Sequence, residues 1–211
     1  MILTDQSVKL INMPPGGGVA LAKACEFAGR NCYASQDKIT EDSYLRFCRS
    51  LIDRGHMSPL EFGDLTFDIT TTRAVLAEIT RHRLASFCVE SQRYIQEAKT
   101  GDITFVLPEW RNEAAKMEIW KRSMQRSENE YKELIATGAK PEEAREVLPN
   151  ATACRIIMKA NLREWRHIFD LRTSPAAYPQ IRTLTKEMLR VAHAEVPGVF
   201  DDLYQQHIER N

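Results

Sequence analysis

RHRLASFCVESQRY, residues 81–94, sets Arg81, His82 and Arg83 side by side, continues through a small and mostly apolar run, and ends on Ser91, Gln92, Arg93 and Tyr94. Upstream, Val75, Leu76 and Ile79 repeat at helical spacing, so residues 73–83 are expected to form a helix carrying the basic triplet at its C-terminal end. Cations favour that end by a few tenths of a kcal/mol, enough to explain one or two of them. Three consecutive helical residues diverge by about 100° each, so the triplet cannot serve one surface ion pair. It reads instead as a grip on something approached from several sides.

Guanidinium groups hold phosphate or carboxylate with two parallel hydrogen bonds and stack on planar rings. Ser91 and Tyr94 add neutral donors. A nucleotide or dinucleotide site, a structural ion-pair cluster and a nucleic-acid patch all fit this chemistry, and the residues alone leave the three open. The balance of charge weighs against the last, because 29 Lys and Arg offset 29 Asp and Glu in 211 residues. No global positive field exists to attract a polyanion, so any anion must be met by local convergence.

The length suits one domain with a substantial core, spanning 1–211. The five cysteines, Cys25, Cys32, Cys48, Cys88 and Cys154, form no CxxC pair, which argues for reduced thiols in a cytoplasmic protein and against a zinc site. No basic leader followed by an apolar run opens the chain, and no segment is apolar for long enough to span a bilayer.

Residues 1–12 suit a strand, and Pro14, Pro15 and Gly16 to Gly18 form a turn lacking the Gly-Lys-Ser/Thr of a phosphate loop. A helix follows at 19–27. Thr40 is the expected N-cap of the next helix, with Glu41 and Asp42 in its first turn, Tyr44, Phe47, Cys48, Leu51 and Ile52 on one face, and Gly55 at its end. Leu65, Phe67 and Ile69 alternate as in a half-buried strand. ITFVLP reads as a strand, 110–137 as a long helix with a solvated charged face, 141–147 as a short helix opened by proline, and 152–160 as a strand. Residues 161–172 and 180–195 have helical patterns. The expected fold is α+β, a central, mostly antiparallel sheet flanked by helices.

Arg-His-Arg, seven residues, then Ser-x-Arg-Tyr resembles the signature of the flavin-dependent thymidylate synthases, and the resemblance covers most of the chain. GRNCYAS around Cys32, RGHMSPLEFGDLTF around His56, AREVLP around Arg145 and KANLREWRHIFDLR before Thr173 follow in that family's order and approximate spacing. The resemblance implies conversion of dUMP to dTMP, with methylenetetrahydrofolate as carbon donor, FAD delivering hydride and NADPH reducing the flavin. It implies flavin contacts for Cys32, His56, Ser58, Arg81, His82, Arg83, Val89, Asn161, Arg163 and His167. It implies dUMP contacts for Glu78, Arg81, Glu90, Ser91, Gln92, Arg93, Arg145 and Arg172, with Arg172 as the catalytic residue, favouring uracil ionised at N3. A homotetramer with shared active sites follows from the same resemblance. No metal, nucleic acid or membrane is implied.

The chain departs from the family pattern at several places. Glu78 stands where glutamine is common, and can pair with Arg81 at i+3. Cys88 and Val89 replace Asn and Glu or Gln, Phe62 replaces a histidine, AYPQI replaces Ala-Gln-x-Glu-Ile, and His167 replaces an asparagine. Cys88 is expected to be a small packing residue, because this chemistry needs no thiol nucleophile.

Overall fold

A computed structural model describes residues 1–93 and 102–210. Eight helices and six strands are present among them, and the sheet is mostly antiparallel, as expected of an α+β fold. A four-stranded sheet has the order β2 (Ser7–Asn12), β3 (Asp64–Thr72), β6 (Ala153–Asn161), β4 (Ala85–Val89). The chain falls into two compact units. One comprises Met1–Ser7, Ile69–Arg81 and Cys88–Ile157; the other comprises Val8–Asp68, His82–Phe87 and Met158–Asn211.

In the first unit β1 (Ile2–Thr4) runs parallel to β5 (Thr104–Val106), with Leu3 opposite Phe105. Helix α3 (Arg73–Ile79) starts where the Thr72 hydroxyl accepts the Val75 N–H at 3.1 Å, satisfying a donor that the first helical turn leaves open. Helices α4 (Ala114–Ala136) and α5 (Pro141–Ala144) complete the unit around Ile103, Phe105, Met124 and Tyr131. Gly138 ends the α4 segment in the left-handed region, at φ 96°, which a side chain would strain. The charges of α4 are not all solvated as expected. Glu128 is fully buried and accepts the Ile103 N–H at 2.9 Å, because the chain entering β5 brings an unpaired donor against the helix.

In the second unit α1 (Gly17–Cys32), α2 (Ser43–Asp53), a 3-10 turn (Ser58–Phe62), α6 (Leu162–Arg172), α7 (Pro179–Glu195) and α8 (Asp201–Tyr204) surround an aromatic core. Phe67 meets Trp165 edge-on at 5.0 Å, Trp165 stacks on Phe169 at 5.5 Å, and Phe169 meets Phe200. The indole N–H donates to the Leu65 carbonyl at 3.0 Å, so the ring is buried without an orphaned donor. Burying each such side chain contributes roughly 1.5–3 kcal/mol. Gly18 lets α1 approach the end of α7: a Cβ there would stand 1.8 Å from the Glu195 carbonyl oxygen.

Three local expectations are corrected. Helix α2 begins at Ser43, leaving Thr40, Glu41 and Asp42 ahead of it. The Ser43 hydroxyl accepts the Thr40 N–H and donates to buried Glu26, which holds the preceding residues in a turn. Helix α3 stops at Ile79, so Arg81, His82 and Arg83 lie in the turn after it rather than on it. The reason is β4, which the sequence did not announce: residues that join a sheet edge must be extended, and the chain unwinds before Ala85 to reach it. Cys88 is exposed on that edge strand and does not pack inside this chain. Tyr94 lies outside the described residues.

Candidate functional site

Helix α6 organises a polar cluster that contains several of the candidates. Asn161 caps it, its side-chain oxygen accepting the Glu164 N–H at 2.8 Å. Trp165, Ile168 and Phe169 turn toward the aromatic core, while Arg163, His167 and Arg172 face away from full burial. This is the ordinary amphipathic division of a helix; Arg163 and His167, four residues apart, share a face, and Arg172 stands in the last turn on another. Arg172 Nε–H donates to Nε2 of His82 at 3.1 Å, and His82 Nδ1 stands 3.5 Å from Glu164 Oε1. The rings of His82 and His167 meet edge-on at 5.7 Å.

His82 is only 5% exposed. Burial, reinforced by the Arg172 charge and then by His167, lowers its pKa to about 4, so the ring is neutral near pH 7. Burial raises the Glu164 pKa, with His167 and Arg163 pulling the other way. Donor atoms of His82, Glu164 and His167 lie within 4.8 Å of one another.

A cavity of about 500 Å³ is lined by Glu61, Leu84, Asn161, Arg163, Glu164 and His167. Arg163 is ion-paired to Glu61 at 2.7 Å, so an incoming phosphate would have to compete with that carboxylate. Leu84 is 76% exposed, an apolar surface beside cations and an imidazole. This donor set fits a group that joins a planar heteroaromatic ring to phosphate, as a flavin dinucleotide does. A second cavity, about 610 Å³, is mainly apolar, with Phe27, Pro59 and Phe62 beside Cys32 and Ser58. Phe62, where the family pattern has histidine, is 69% exposed and can offer that cavity only a hydrophobic face. His56 is bonded through Nδ1 to the Tyr33 hydroxyl at 2.8 Å.

Apart from Arg83, the remaining candidates lie in the first unit. Arg81 is exposed, and its N–H donates to the Glu78 carbonyl at 3.2 Å. Val89 ends β4 half-buried. Glu90 is tied to β6: its N–H donates to the Arg155 carbonyl at 2.9 Å and its carboxylate accepts the Arg155 N–H at 3.3 Å. Arg73 adds a bond to the Glu90 carbonyl. The Ser91 hydroxyl accepts the Arg93 N–H at 3.3 Å, Gln92 is half-buried, and Arg93 Nε lies 3.2 Å from Glu142. Arg145 opens a short 3-10 turn, exposed. Arg83, in the second unit, is exposed in the turn before β4.

Glu61, Glu164, Tyr33 and Glu142 were not singled out from the sequence. Each is a partner of a candidate, and partnership across a fold leaves no local pattern to read. Tyr33, Glu61 and Glu164 do stand inside the quoted motifs GRNCYAS, RGHMSPLEFGDLTF and KANLREWRHIFDLR.

The fold is shared with the crystal structure of a UMP/dUMP methylase, PolB from Streptomyces cacaoi, bound with 5-Br dUMP. The TM-score is 0.80 at 22% identity, covering 98% of this chain and 97% of that one. Residues 20–198 match the Thy1 family, described as thymidylate synthase complementing protein. The flavin-dependent thymidylate synthase of Geobacter sulfurreducens is 34% identical over 186 residues, covering 85% of this chain and 80% of that protein. Those of Mycobacterium sp. strain KMS and Mycobacterium tuberculosis strain H37Ra are 38% and 37% identical, each covering 88% of this chain and 80% of its own length. This chain is an enzyme of the flavin-dependent thymidylate synthase family.

Proposed function

We propose that the chain makes dTMP from dUMP, with methylenetetrahydrofolate as carbon donor, FAD as bound cofactor and NADPH as reductant. The observation that carries the reading is Arg172 donating to a neutral, buried imidazole whose ring meets that of His167, in a chain of this family. Cys32, His56, Ser58, Arg81, His82, Arg83, Val89, Asn161, Arg163 and His167 would hold the flavin, which supplies hydride to the uracil ring when bound. The exposed arginines Arg93 and Arg145 offer charge-assisted hydrogen bonds to the dUMP phosphate, and Ser91, Gln92, Glu78, Glu90 and Arg81 frame the nucleotide. Arg172 would stabilise negative charge on the uracil as it builds, the kind of fixed cation that lowers a transition-state barrier. Its N–H groups and permanent charge need no proton exchange to do so.

We further propose one domain across 1–211, supported by strands β3, β4 and β6, each of which passes from one compact unit into the other along the chain. A homotetramer with shared sites rests on the family resemblance. Work in the reducing cytoplasm is supported by free cysteines, of which Cys25, Cys48 and Cys154 are buried with thiol pKa values raised to about 12, 12 and 11 by that burial. Among the described residues, no helix is long and apolar enough to cross a membrane.

The test uses purified full-length protein. It is expected to be yellow, to oxidise NADPH faster when dUMP is added, and to form dTMP once methylenetetrahydrofolate is present. A colourless protein that fails to take up added FAD overturns the reading. So does flavin binding without dTMP formation.

A further inference from the structure

We propose that Glu164 is a positioning residue that acts through His82: carboxylate and imidazole together brace the guanidinium of Arg172 from a buried pocket. The proposal rests on the catalytic reading of Arg172 given above and adds a residue that reading did not contain.

Glu164 and Arg172 sit at opposite ends of the same helix, eight residues and about 12 Å apart along its axis. They cannot pair directly as neighbours on a helix face do. His82 comes from another segment of the chain and lies between them, with Nδ1 3.5 Å from the Glu164 carboxylate and Nε2 accepting from Arg172 at 3.1 Å. His82 is 5% exposed and Glu164 7%, so water does not compete freely for either contact.

The hydrogen-bond logic then has one solution. Arginine has only donors, so Nε2 of His82 must present its lone pair, and the proton of a neutral ring must sit on Nδ1, the nitrogen that faces Glu164. An acceptor at that nitrogen selects this tautomer; without one, the alternative with the proton on Nε2 would point an N–H at an N–H. The depressed pKa of His82 agrees, since a doubly protonated ring would repel Arg172. The same His82, Glu164 and His167 donors have the compactness of a metal triad. Two observations oppose that use: Nε2 is already engaged, and the guanidinium beside it, with Arg163 close to Glu164, would repel a dication.

The experiment reads the ring directly, by long-range 15N–1H NMR on protein labelled in its histidines, with His82 assigned through His82→Gln. At pH 7 the flavin-free wild type should show His82 neutral, protonated on Nδ1 and bare on Nε2. Glu164→Ala should shift the ring toward the Nε2–H tautomer and lower kcat by about 10- to 100-fold, measured with FAD and substrates at saturation. Glu164→Gln keeps an oxygen acceptor and should retain the tautomer and restore kcat to within about threefold of wild type. An Nε2–H tautomer in the wild type overturns the proposal, and needs no variant to fold. An unchanged kcat in Glu164→Ala, with the shifted tautomer, overturns it too. If Arg172→Ala retains turnover, the catalytic reading of Arg172 fails instead, and the tautomer result stands apart from it.

Discussion

Arg93 and Arg172 carry the same guanidinium and meet opposite surroundings. In the first unit Arg93 is 51% exposed and lies against Glu142, itself 41% exposed. In the second, Arg172 donates to a histidine that is almost wholly buried and neutral. A surface pair of the first kind contributes about 0–1 kcal/mol, is weakened by salt and yields readily to a better partner. A hydrogen bond into a buried ring is costly to leave unmade, and therefore holds an orientation. The first arrangement suits capture of a charged phosphate; the second suits a cation whose direction matters.

The candidates for dUMP lie in the first unit except Arg172, and those for the flavin lie in the second except Arg81 and Val89. Arg172, a nucleotide candidate, donates to His82, a flavin candidate.

The largest expected effect comes from removing the oriented cation. Arg172→Ala should lower turnover by about 100- to 1000-fold, measured as dTMP formed per enzyme under saturating substrates. Turnover near normal would erase the contrast between the two arginines.

Next comes acid. His82 has a pKa near 4 in the folded chain and about 6.5 when unfolded. The unfolded chain therefore binds the extra proton first, and stability contributed by the neutral ring falls as pH drops from about 6.5 toward 4. The limit is on the order of 3 kcal/mol. The raised pKa of Glu164 works in the opposite sense, because the folded chain takes up that proton more readily, and it offsets part of the loss. Urea midpoints at pH 7 and pH 5 should differ, and His82→Asn should shrink the difference. An equal slope in both proteins would show that His82 is not the group responsible.

A smaller effect is expected at Arg93. Arg93→Ala should change stability by no more than about 0.5 kcal/mol, because an exposed pair is lost, while the KM for dUMP rises about 10- to 100-fold if a charge-assisted hydrogen bond to the substrate is lost. Loss of stability without a change in KM would make Arg93 a structural residue.

The smallest concerns Asn161, which both caps α6 and is expected at the flavin. Asn161→Ala should cost about 1 kcal/mol in thermal or urea unfolding, whereas Asn161→Ser keeps a capping oxygen and should cost only a few tenths. Weakened flavin binding in the serine variant would separate the ligand contact from the cap.

Much of the fold was legible because its signals are local. The alternation of Leu65, Phe67 and Ile69 marked β3, and the pattern before Thr173 marked α6 with Asn161 at its head. Strand β4 was not, since ASFCV is only five residues long and its extended form is imposed by pairing at the sheet edge. Buried Glu128 was hidden for a similar reason: in sequence it is one more acid on a charged helix, and the Ile103 N–H and Met1 amino group that meet it come from distant parts of the chain.

By itself, the sequence determined which chemistry the chain carries and in what order: the arginine and histidine triplet, the serine and arginine that follow, and the motif that ends in Arg172. Residue type and spacing are enough for that, because donors, charges and helical periods are properties of short stretches. Only the tertiary structure decided that His82 is neutral, that its two nitrogens face Glu164 and Arg172, and that Arg93 remains at the surface. Protonation and orientation depend on burial and on partners up to 90 residues away, and neither is written in the local chain.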